Sequence, residues 1–461
     1  MNNTIHLTDN CIEGCLIEGE NVPDVLQIAK IDQLKDEPEL LIYPHSFYDL
    51  NDAICDLSIL TTSDYRFSYD CECLSLMVHT GNLMGFVGVN NTSLSIHSRF
   101  THKKSNGQVD ENGKDYFLYY MLQKVLSINI FRLEHFTNQD DNILDFLLFF
   151  FPYMLKKALS QGMYKEYRRK QYDDTHIKGT INVPRFIKND IPFKGGVSYS
   201  SREHSYDNSL TQLIRHTIEC IKHHPFGAEI LNNDQETIDY VSKIVIATPS
   251  YNKRDREGVL NENLRPKVHP YFLNYRELQQ LCVRILRHES LKYGKNQDKV
   301  YGVLFDGSWL WEEYLNTIFS DLGFSHPRNK EGIGGIRMFE DNFDKNSRLI
   351  YPDFYSEDYI LDAKYKHMNG DVRRDDLYQV ISYMYCMNVP YGGCIYPDDS
   401  NKKTTKFKLA GRGLEYKESS GGILSIIPLK IPQVSDNWEI FIQEIGKSES
   451  ELKYIFLSSS Q

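Results

Sequence analysis

The sequence has little positive charge for its length. Of its 461 residues, 52 are Lys or Arg and 63 are Asp or Glu, so the formal net charge is −11. Affinity for the phosphate backbone of nucleic acid comes largely from Lys and Arg displacing counterions, so a chain of this charge has no general attraction to DNA. Any contact with DNA must therefore be local, or a partner must supply it.

Long apolar runs and an export signal are also missing. No stretch approaches the roughly eighteen apolar residues that suggest a membrane helix, and residues 1–10 have no basic start followed by an apolar core. We therefore expect a soluble, cytoplasmic protein that contacts no membrane. The nine cysteines include no CxxC pair and no matching His spacing, which speaks against structural zinc. Their odd number fits reduced cytosolic thiols.

Two nucleotide-binding signatures are absent. The chain has no GxxxxGK[ST] phosphate-binding loop, and Gly411-Arg412-Gly413 lacks the strand and helix that frame a dinucleotide-binding motif. We expect that this chain alone binds no nucleotide and hydrolyses none.

The sequence does contain enough apolar material for several cores. It is 41% hydrophobic and 13% aromatic, and its length predicts about three domains. Apolar periodicity predicts an α/β chain of the multidomain α+β kind. It divides into a β-rich domain at residues 1–115, a mixed and mainly helical region at 116–300, and a C-terminal domain at 301–461. The clearest predicted helices cover residues 143–155, 208–223, 275–288, 306–323 and 373–387.

The most informative segment is residues 349–366, in which two β-prone runs flank a polar turn. If Glu357 and Asp358 form the turn of a hairpin, Asp353 lies directly opposite Asp362, about 5 Å away. At such a short distance, two carboxylates repel each other unless a divalent cation lies between them. Because strand side chains alternate, Asp362 and Lys364 point to the same face, which places an ammonium beside the metal site.

This set of groups suits hydrolysis of a phosphodiester. The carboxylates hold a metal that polarises the phosphate and acidifies water, and the cation offsets developing charge or orients the nucleophile. In the predicted helix at 373–387, Gln379 and Tyr383 lie four residues apart and share a face. The alternative is a solvated acidic hairpin with an ordinary surface lysine. Glu312, in the helix before the hairpin, could face either this site or solvent.

Pro352-Asp353, Asp362-Ala363-Lys364 and the Gln379-x-x-x-Tyr383 pair together resemble the PD-(D/E)xK nuclease signature, with the additional glutamine and tyrosine motif of its RecB-like branch. The resemblance implies a restriction-endonuclease-like fold for residues 301–461. It also implies Mg²⁺ as cofactor, with Mn²⁺ able to replace it, and Asp353 and Asp362 as its ligands. The implied catalytic residues are Asp353, Asp362, Lys364, Gln379 and Glu312.

The whole chain resembles the McrC nuclease subunits of McrBC restriction systems and the related LlaJI-type subunits. The markers are residues 88–99, with Leu94-Ser95-Ile96-His97; the middle stretch Ile177-Lys178-Gly179-Thr180-Ile181; residues 203–208; and Leu310-Trp311-Glu312-Glu313-Tyr314-Leu315 before the hairpin. The sequence departs from the family at Lys178, where an arginine is expected, although the charge is kept.

The resemblance implies a nuclease subunit that docks on a hexameric AAA+ GTPase, stimulates GTP hydrolysis, and cleaves modified or specific foreign double-stranded DNA. Docking would use residues 1–115, and residues 116–300 would both dock and stimulate, with Lys178 and Arg202 as candidate basic groups. Self-association through the nuclease domain is left open. The basic, tyrosine-rich stretch at 164–172 is either a solvated helix face or a contact for DNA or partner.

Two other functions compete with this interpretation. A stand-alone RecB-like repair nuclease often carries a four-cysteine iron–sulfur cluster around its nuclease core, and the cysteines here do not frame one. A non-catalytic adaptor that only regulates a GTPase would have little reason to keep Asp353, Asp362 and Lys364 together. Mg²⁺-dependent DNA cleavage with a GTPase partner is therefore the favoured function.

Overall fold

The computed structural model describes residues 3–11, 14–18, 21–29, 40–43, 60–68, 73–89, 92–101, 115–126, 139–189, 191–193, 195–225, 227–232, 234–265, 271–291, 300–327, 334–339, 349–368, 372–410, 415–416, 419–420, 422–434 and 437–457. The chain divides into two compact units, Met1–Gln139 with Gln297–Gln461, and Asp140–Asn296. The division into three domains at residues 1–115, 116–300 and 301–461 is not tested by these two units and stays a prediction.

The first unit begins with two sheets. Its strands are β1 (Asn3–Thr8), β2 (Cys15–Glu18), β3 (Leu40–Tyr43), β4 (Leu60–Ser68), β5 (Cys73–Thr80), β6 (Leu83–Val89), β7 (Thr92–His97) and β11 (Val300–Asp306), with helix α1 at Val22–Ala29. One sheet has the order β1-β7-β6-β11-β3 and the other β2-β5-β4. Alternating apolar residues of β6 and β7 fill a shared core with α1. The predicted β-rich start is observed among the described residues.

A strand from beyond residue 300 completes the first of these sheets. β11 lies between β6 and β3, antiparallel to the former and parallel to the latter. Two glycines allow the close approach of β6 and β11, because a Cβ at Gly85 or at Gly302 would lie 2.2 Å from a carbonyl oxygen of the opposite strand. Sequence from both ends of the first unit therefore forms one sheet.

A second sheet has five strands: β14 (Phe354–Tyr355), β15 (Tyr359–Ala363), β16 (Tyr391–Asp398), β17 (Thr405–Lys408) and β20 (Ile423–Lys430). Their order in the sheet is β14-β15-β16-β20-β17. β15, β16 and β20 are parallel. Two-stranded pairs are formed by β12 (Ile336–Arg337) with β13 (Leu349–Ile350) and by β18 (Glu415–Tyr416) with β19 (Ser419–Ser420).

Helices pack against both faces of this sheet. α11 (Arg374–Met387) connects β15 to β16, and its Val380 and Met384 pack on Cys394 and Leu424. On the other face, Phe354 packs on Phe319 of α10 (Gly307–Phe319), which in turn packs on α12 (Trp438–Leu457). α2 (Tyr116–Leu126) joins these helices, because Tyr120 of α2 and Tyr314 of α10 both donate to Glu449 Oε1 at 2.8 Å. Asp362 and Lys364 thus belong to the face that α11 covers.

The second unit combines a small sheet with helices. Its elements are α3 (Gln139–Leu159), β8 (Glu166–Asp174), β9 (Thr180–Ile181), α4 (Val183–Asn189), β10 (Val197–Ser205), α5 (Ser209–His223), α6 (Gly227–Leu231), α7 (Gln235–Ala247), α8 (Arg256–Glu262) and α9 (Asn274–Leu291). The sheet order is β8-β10-β9. α5 starts at Asn208, whose side chain accepts a hydrogen bond from Thr211 N, and its apolar face packs against α9.

The predicted mixed α/β organisation with several sheets and helices is confirmed. The five predicted helices are present, with the helix at 306–323 beginning at the Asp306 cap and ending in a 3₁₀ turn with Gly323 in the left-handed conformation. The prediction of a helix face at residues 164–172 is wrong, because β8 covers most of this stretch and pairs with β10 along its whole length. Within the described residues, no helix combines the length and apolar content needed to span a bilayer.

Candidate functional site

The hairpin of β14 and β15 has the register that the sequence predicts. Phe354 pairs with Leu361 and Tyr355 with Ile360, and Ser356 N donates to Tyr359 O at 2.8 Å. Continued by one residue, this register sets Asp353 opposite Asp362. The polar turn and the alternation of side chains account for this geometry without help from distant residues.

The two carboxyl groups share one environment. Asp362 is only 2% exposed, and Asp353 Oδ2 accepts a hydrogen bond from Ala363 N at 2.6 Å. Burial of the Asp353 carboxyl, with the negative charges of Glu312 and Asp362, holds its pKa well above the ordinary value. Burial also raises the pKa of Asp362, against the opposing effect of the Lys364 ammonium. Both shifts show that this environment disfavours two adjacent negative charges, which a bound cation would offset.

Lys364 lies beside this pair and is held by several partners. Its Nζ is 2.5 Å from Asp362 Oδ2 and donates to Gln379 Oε1 at 3.0 Å. Gln379 Nε2 in turn donates to the Tyr383 hydroxyl at 3.0 Å. Burial lowers the pKa of Lys364, but Asp362, Asp353 and Asp376 together raise it by more, so the net pKa is raised and the ammonium stays charged. The structure thus connects Asp362, Lys364, Gln379 and Tyr383 in one chain of contacts.

α11 adds one acidic residue that the sequence interpretation did not single out. Asp376 lies one turn before Gln379; its Oδ1 is 3.8 Å from Lys364 Nζ, and its Oδ2 accepts from Lys366. The charge of Asp376 therefore adds to that of Asp362 in stabilising the Lys364 ammonium. Of the predicted residues, Glu312 is placed by α10 near enough for its charge to act on Asp353.

The segment after β15, which carries Lys364, is anchored by residues that follow two strands of the N-terminal sheet. The hydroxyl of Tyr365 lies 2.8 Å from Ser98 Oγ, and Arg99 Nη1 donates to the Tyr365 carbonyl at 3.3 Å. Arg99 is itself fixed by Asp9, since its Nε donates to Asp9 Oδ2 at 2.9 Å. The end of β15 is therefore held on the side away from α11 by buried groups of residues 9–99.

His326 is a site neighbour that sequence reasoning missed. Its ring stacks on Phe354 with centroids 4.8 Å apart, and its Nδ1 is 2.6 Å from the Asp353 carbonyl oxygen. A lone histidine 27 residues upstream carries no motif spacing, so no signal in the sequence alone could have identified it. Only the folded chain brings it to Asp353.

The Asp353 and Asp362 pair suits a hard divalent cation. Among the described residues, no group of three or more His, Cys, Asp or Glu side chains is arranged to hold a metal ion. Mg²⁺, however, is commonly held by one or two protein carboxylates and completes its shell with water or phosphate. The buried Oδ2 of Asp362 lies 2.5 Å from Lys364 Nζ and accepts no hydrogen bond of good geometry from the described residues. The pair therefore fits such a cation.

The arrangement defines a class of site, a carboxylate pair with an adjacent lysine. The family model described as McrBC 5-methylcytosine restriction system component matches residues 78–397, which is more than half of the chain. The protein belongs to this McrBC family. Among curated proteins, none matches the chain at a significant level.

Two solved assemblies from Thermococcus gammatolerans contain chains similar to this one. The first is a half-complex refined from a tetradecameric assembly of McrB AAA+ hexamers with bound McrC. Its similar chain is 13% identical to this one, and the match covers 96% of this chain and 100% of that chain, with a TM-score of 0.47. In the McrBC complex determined by cryo-EM, identity is 13%, coverage is 69% of this chain and 87% of that chain, and the TM-score is 0.32.

Proposed function

We propose that this chain is the McrC-type, DNA-cutting subunit of a GTP-driven restriction system, a metal-dependent endonuclease for modified or specific foreign DNA. The observation that carries the proposal is the pair formed by half-buried Asp353 and buried Asp362, with the Lys364 ammonium 2.5 Å from Asp362. A carboxylate pair suited to a hard cation, next to a fixed positive charge, is what hydrolysis of a phosphodiester requires. Membership of the restriction-system family supports the same reaction class.

We assign the sheet around this site to the PD-(D/E)xK superfamily. The assignment is supported by the hairpin that carries Asp353 and Asp362, by the preceding helix α10 with Glu312, and by the following helix α11 with Gln379 and Tyr383. The order of these elements and their motif residues agree with the sequence resemblance.

Each residue of the site has a distinct role in this proposal. Asp353 and Asp362 would hold Mg²⁺ or Mn²⁺, which when bound polarises the scissile phosphate and acidifies water. Lys364 offsets the charge that develops on the phosphate. Gln379 fixes the direction of the Lys364 ammonium, and Tyr383 fixes the Gln379 amide. Glu312 adds a third negative charge on the Asp353 side of the pair.

The partner in this proposal is a hexameric AAA+ GTPase of the McrB kind. The family is defined as a component of a system, and the solved assemblies contain McrC bound to McrB AAA+ hexamers. GTP hydrolysis would belong to the partner, because the sequence contains no phosphate-binding loop. The net charge of −11 also suits a subunit whose partner supplies most of the affinity for DNA.

Docking is best supported on the small sheet of the second unit. The stretch from β9 through α4 to the start of β10 exposes large apolar side chains that a monomer would ordinarily bury or disperse: Ile181 47%, Val183 56%, Ile187 56%, Ile191 59% and Phe193 67%. Lys178 is exposed beside this patch. On the opposite strand, Arg202 stacks over Tyr167 with 4.8 Å between Cζ and the ring centroid. Lys178 and Arg202 remain our candidates for stimulating the GTPase.

The test is cleavage of modified double-stranded DNA by the full chain with its partner GTPase, GTP and Mg²⁺. Asp353→Asn or Lys364→Ala should lower the cleavage rate by about 10²-fold or more, while complex formation is retained. Glu357→Gln is a matched control, an isosteric carboxylate change at the exposed tip of the same hairpin, and should cut as the unmodified chain does. Full cutting by either site variant contradicts the proposal.

The same assay separates the competing functions. Efficient cutting at physiological salt without GTP or partner would favour a stand-alone repair nuclease. Stimulation of the GTPase with no cutting by the unmodified chain, under any metal condition, would favour a non-catalytic adaptor.

A further inference from the structure

His326 occupies a fixed place behind the candidate metal site. The residue before it, Ser325, forms a bridge with Tyr355 through two backbone hydrogen bonds of 2.8 and 3.0 Å. This bridge brings the His326 ring onto Phe354, where the two rings stack at an interplanar angle of 23°. The imidazole therefore has little freedom to leave the Asp353 peptide.

Both ring nitrogens of His326 have a partner. A carbonyl oxygen only accepts hydrogen bonds, so the 2.6 Å contact with Asp353 requires the proton to be on Nδ1, which donates. Nε2 faces α10 and lies 3.9 Å from Glu313 Oε1. Glu313 thus orients the ring from the opposite side.

Asp353 is consequently held at two points. Its carboxylate Oδ2 accepts from Ala363 N at 2.6 Å, and its main-chain oxygen accepts from His326. Ala363 belongs to the hairpin itself, whereas His326 comes from the segment after α10. The hydrogen bond from His326 therefore fixes Asp353 relative to the rest of the unit.

We propose that His326 is a positioning residue for Asp353: by holding the Asp353 main-chain carbonyl, it fixes the peptide from which the carboxylate reaches the divalent cation, and it touches neither the cation nor the DNA. This role rests on the proposed nuclease function. Groups that orient a metal ligand are worth about 10- to 100-fold in metal affinity or activity, because a ligand that can rotate must be reordered on each binding event.

Two isosteric substitutions test the role atom by atom. In His326→Asn, the amide nitrogen can occupy the position of Nδ1 and still donate to the Asp353 carbonyl. In His326→Gln, the longer side chain carries its amide to the position of Nε2, which keeps a contact with Glu313 but loses the one with Asp353. The first variant should bind metal within about 3-fold of the unmodified chain, and the second about 10- to 100-fold more weakly.

The measurement is binding of Mn²⁺ to the full-length variants by titration calorimetry, with thermal unfolding recorded for each. A merely structural role would lower the unfolding temperature of both variants equally and leave Mn²⁺ affinity unchanged in both. Equal affinity of His326→Gln and the unmodified chain overturns the proposal, as does equal loss in the two variants. If His326→Gln does not fold, His326→Asn decides, because weakened binding in a folded Asn variant also overturns it.

A further control separates this inference from the proposed function. Asp353→Asn should bind no Mn²⁺ at this site. If the unmodified chain itself binds no Mn²⁺ and cuts no DNA with its partner, the nuclease assignment fails. If it binds and cuts while both His326 variants match it, only the positioning role fails.

Discussion

At the scale of single residues, Gln379 is the link between Lys364 and the rest of α11. Its Oε1 accepts from Lys364 Nζ at 3.0 Å, and its Nε2 donates to Tyr383. Gln379→Ala should lower the cleavage rate about tenfold, since one hydrogen bond to a charged group contributes roughly 1.5–3 kcal/mol and other partners still hold the ammonium. Ser382→Ala, at an exposed position of the same helix, is the control. The cleavage rates of both variants are measured in single-turnover reactions at saturating Mg²⁺. Equal rates would show that Gln379 has no role in cleavage.

The carboxyl pair makes stability depend on pH in a defined direction. The pKa of Asp353 and that of Asp362 are both raised in the folded chain, so the folded state binds more protons than the unfolded one. The stabilisation that the folded chain gains from binding these protons is fully present below the ordinary carboxyl pKa. It is lost as pH rises through the raised pKa values of the folded chain. Without divalent cation, Asp353→Asn should therefore be more stable than the unmodified chain at pH 8, with the difference vanishing near pH 4.

Mg²⁺ should reverse this order. A bound cation offsets the repulsion between the two carboxylates, so adding it at pH 8 should raise the unfolding temperature of the unmodified chain and leave that of Asp353→Asn unchanged. Thermal unfolding between pH 4 and 8, with and without Mg²⁺, measures both effects. An Asp353→Asn variant that is less stable at pH 8 in the absence of metal would show that the pair is satisfied by protein groups alone.

At the scale of elements, the exposed apolar patch of the second unit gives a sharp test of docking. Ile187 of α4 is 56% exposed, and Ile246 of α7 is 79% exposed. Ile187→Asp should weaken binding to the GTPase about tenfold or more, because a charge would enter a desolvated contact. Ile246→Asp makes the same chemical change at an exposed position of the same unit and should have no effect. Titration of each labelled full-length variant into the GTPase measures its affinity. Equal affinity of Ile187→Asp and Ile246→Asp would show that the patch is not the docking surface.

The elements that the sequence predicts are those whose causes are local. The helix of residues 306–323 has its own cap and stop, and the hairpin around Glu357 follows from alternation and a polar turn. Residues 166–174 form β8 and not the expected helix face, because this strand depends on pairing with β10, some thirty residues later. The position of Asp353 opposite Asp362 follows from counting residues outward from the hairpin turn. The position of His326 depends on the pairing of Ser325 with Tyr355, which the sequence does not reveal.

At the scale of the whole molecule, the N-terminal region cannot be separated from the C-terminal one by cutting near residue 300. β11 lies between β6 and β3, so a fragment ending at residue 299 would lose an inner strand of its sheet. Arg99 and Ser98 also hold Tyr365, next to Lys364. Docking and cleavage are therefore best separated by substitutions in the full chain.

The last prediction is that stimulation of the GTPase and cleavage of DNA respond to different substitutions. Stimulation requires a docked surface, whereas hydrolysis of DNA requires the carboxylate pair, and the two sets of residues belong to different compact units. Full-length Asp353→Asn should raise the partner's GTP turnover as much as the unmodified chain and cut no DNA. Ile187→Asp should lose both activities together, and excess chain should restore both, because only binding is weakened. GTP turnover and DNA cleavage measured in the same reactions test this, and loss of stimulation by a folded, bound Asp353→Asn variant would show that the metal site itself controls the motor.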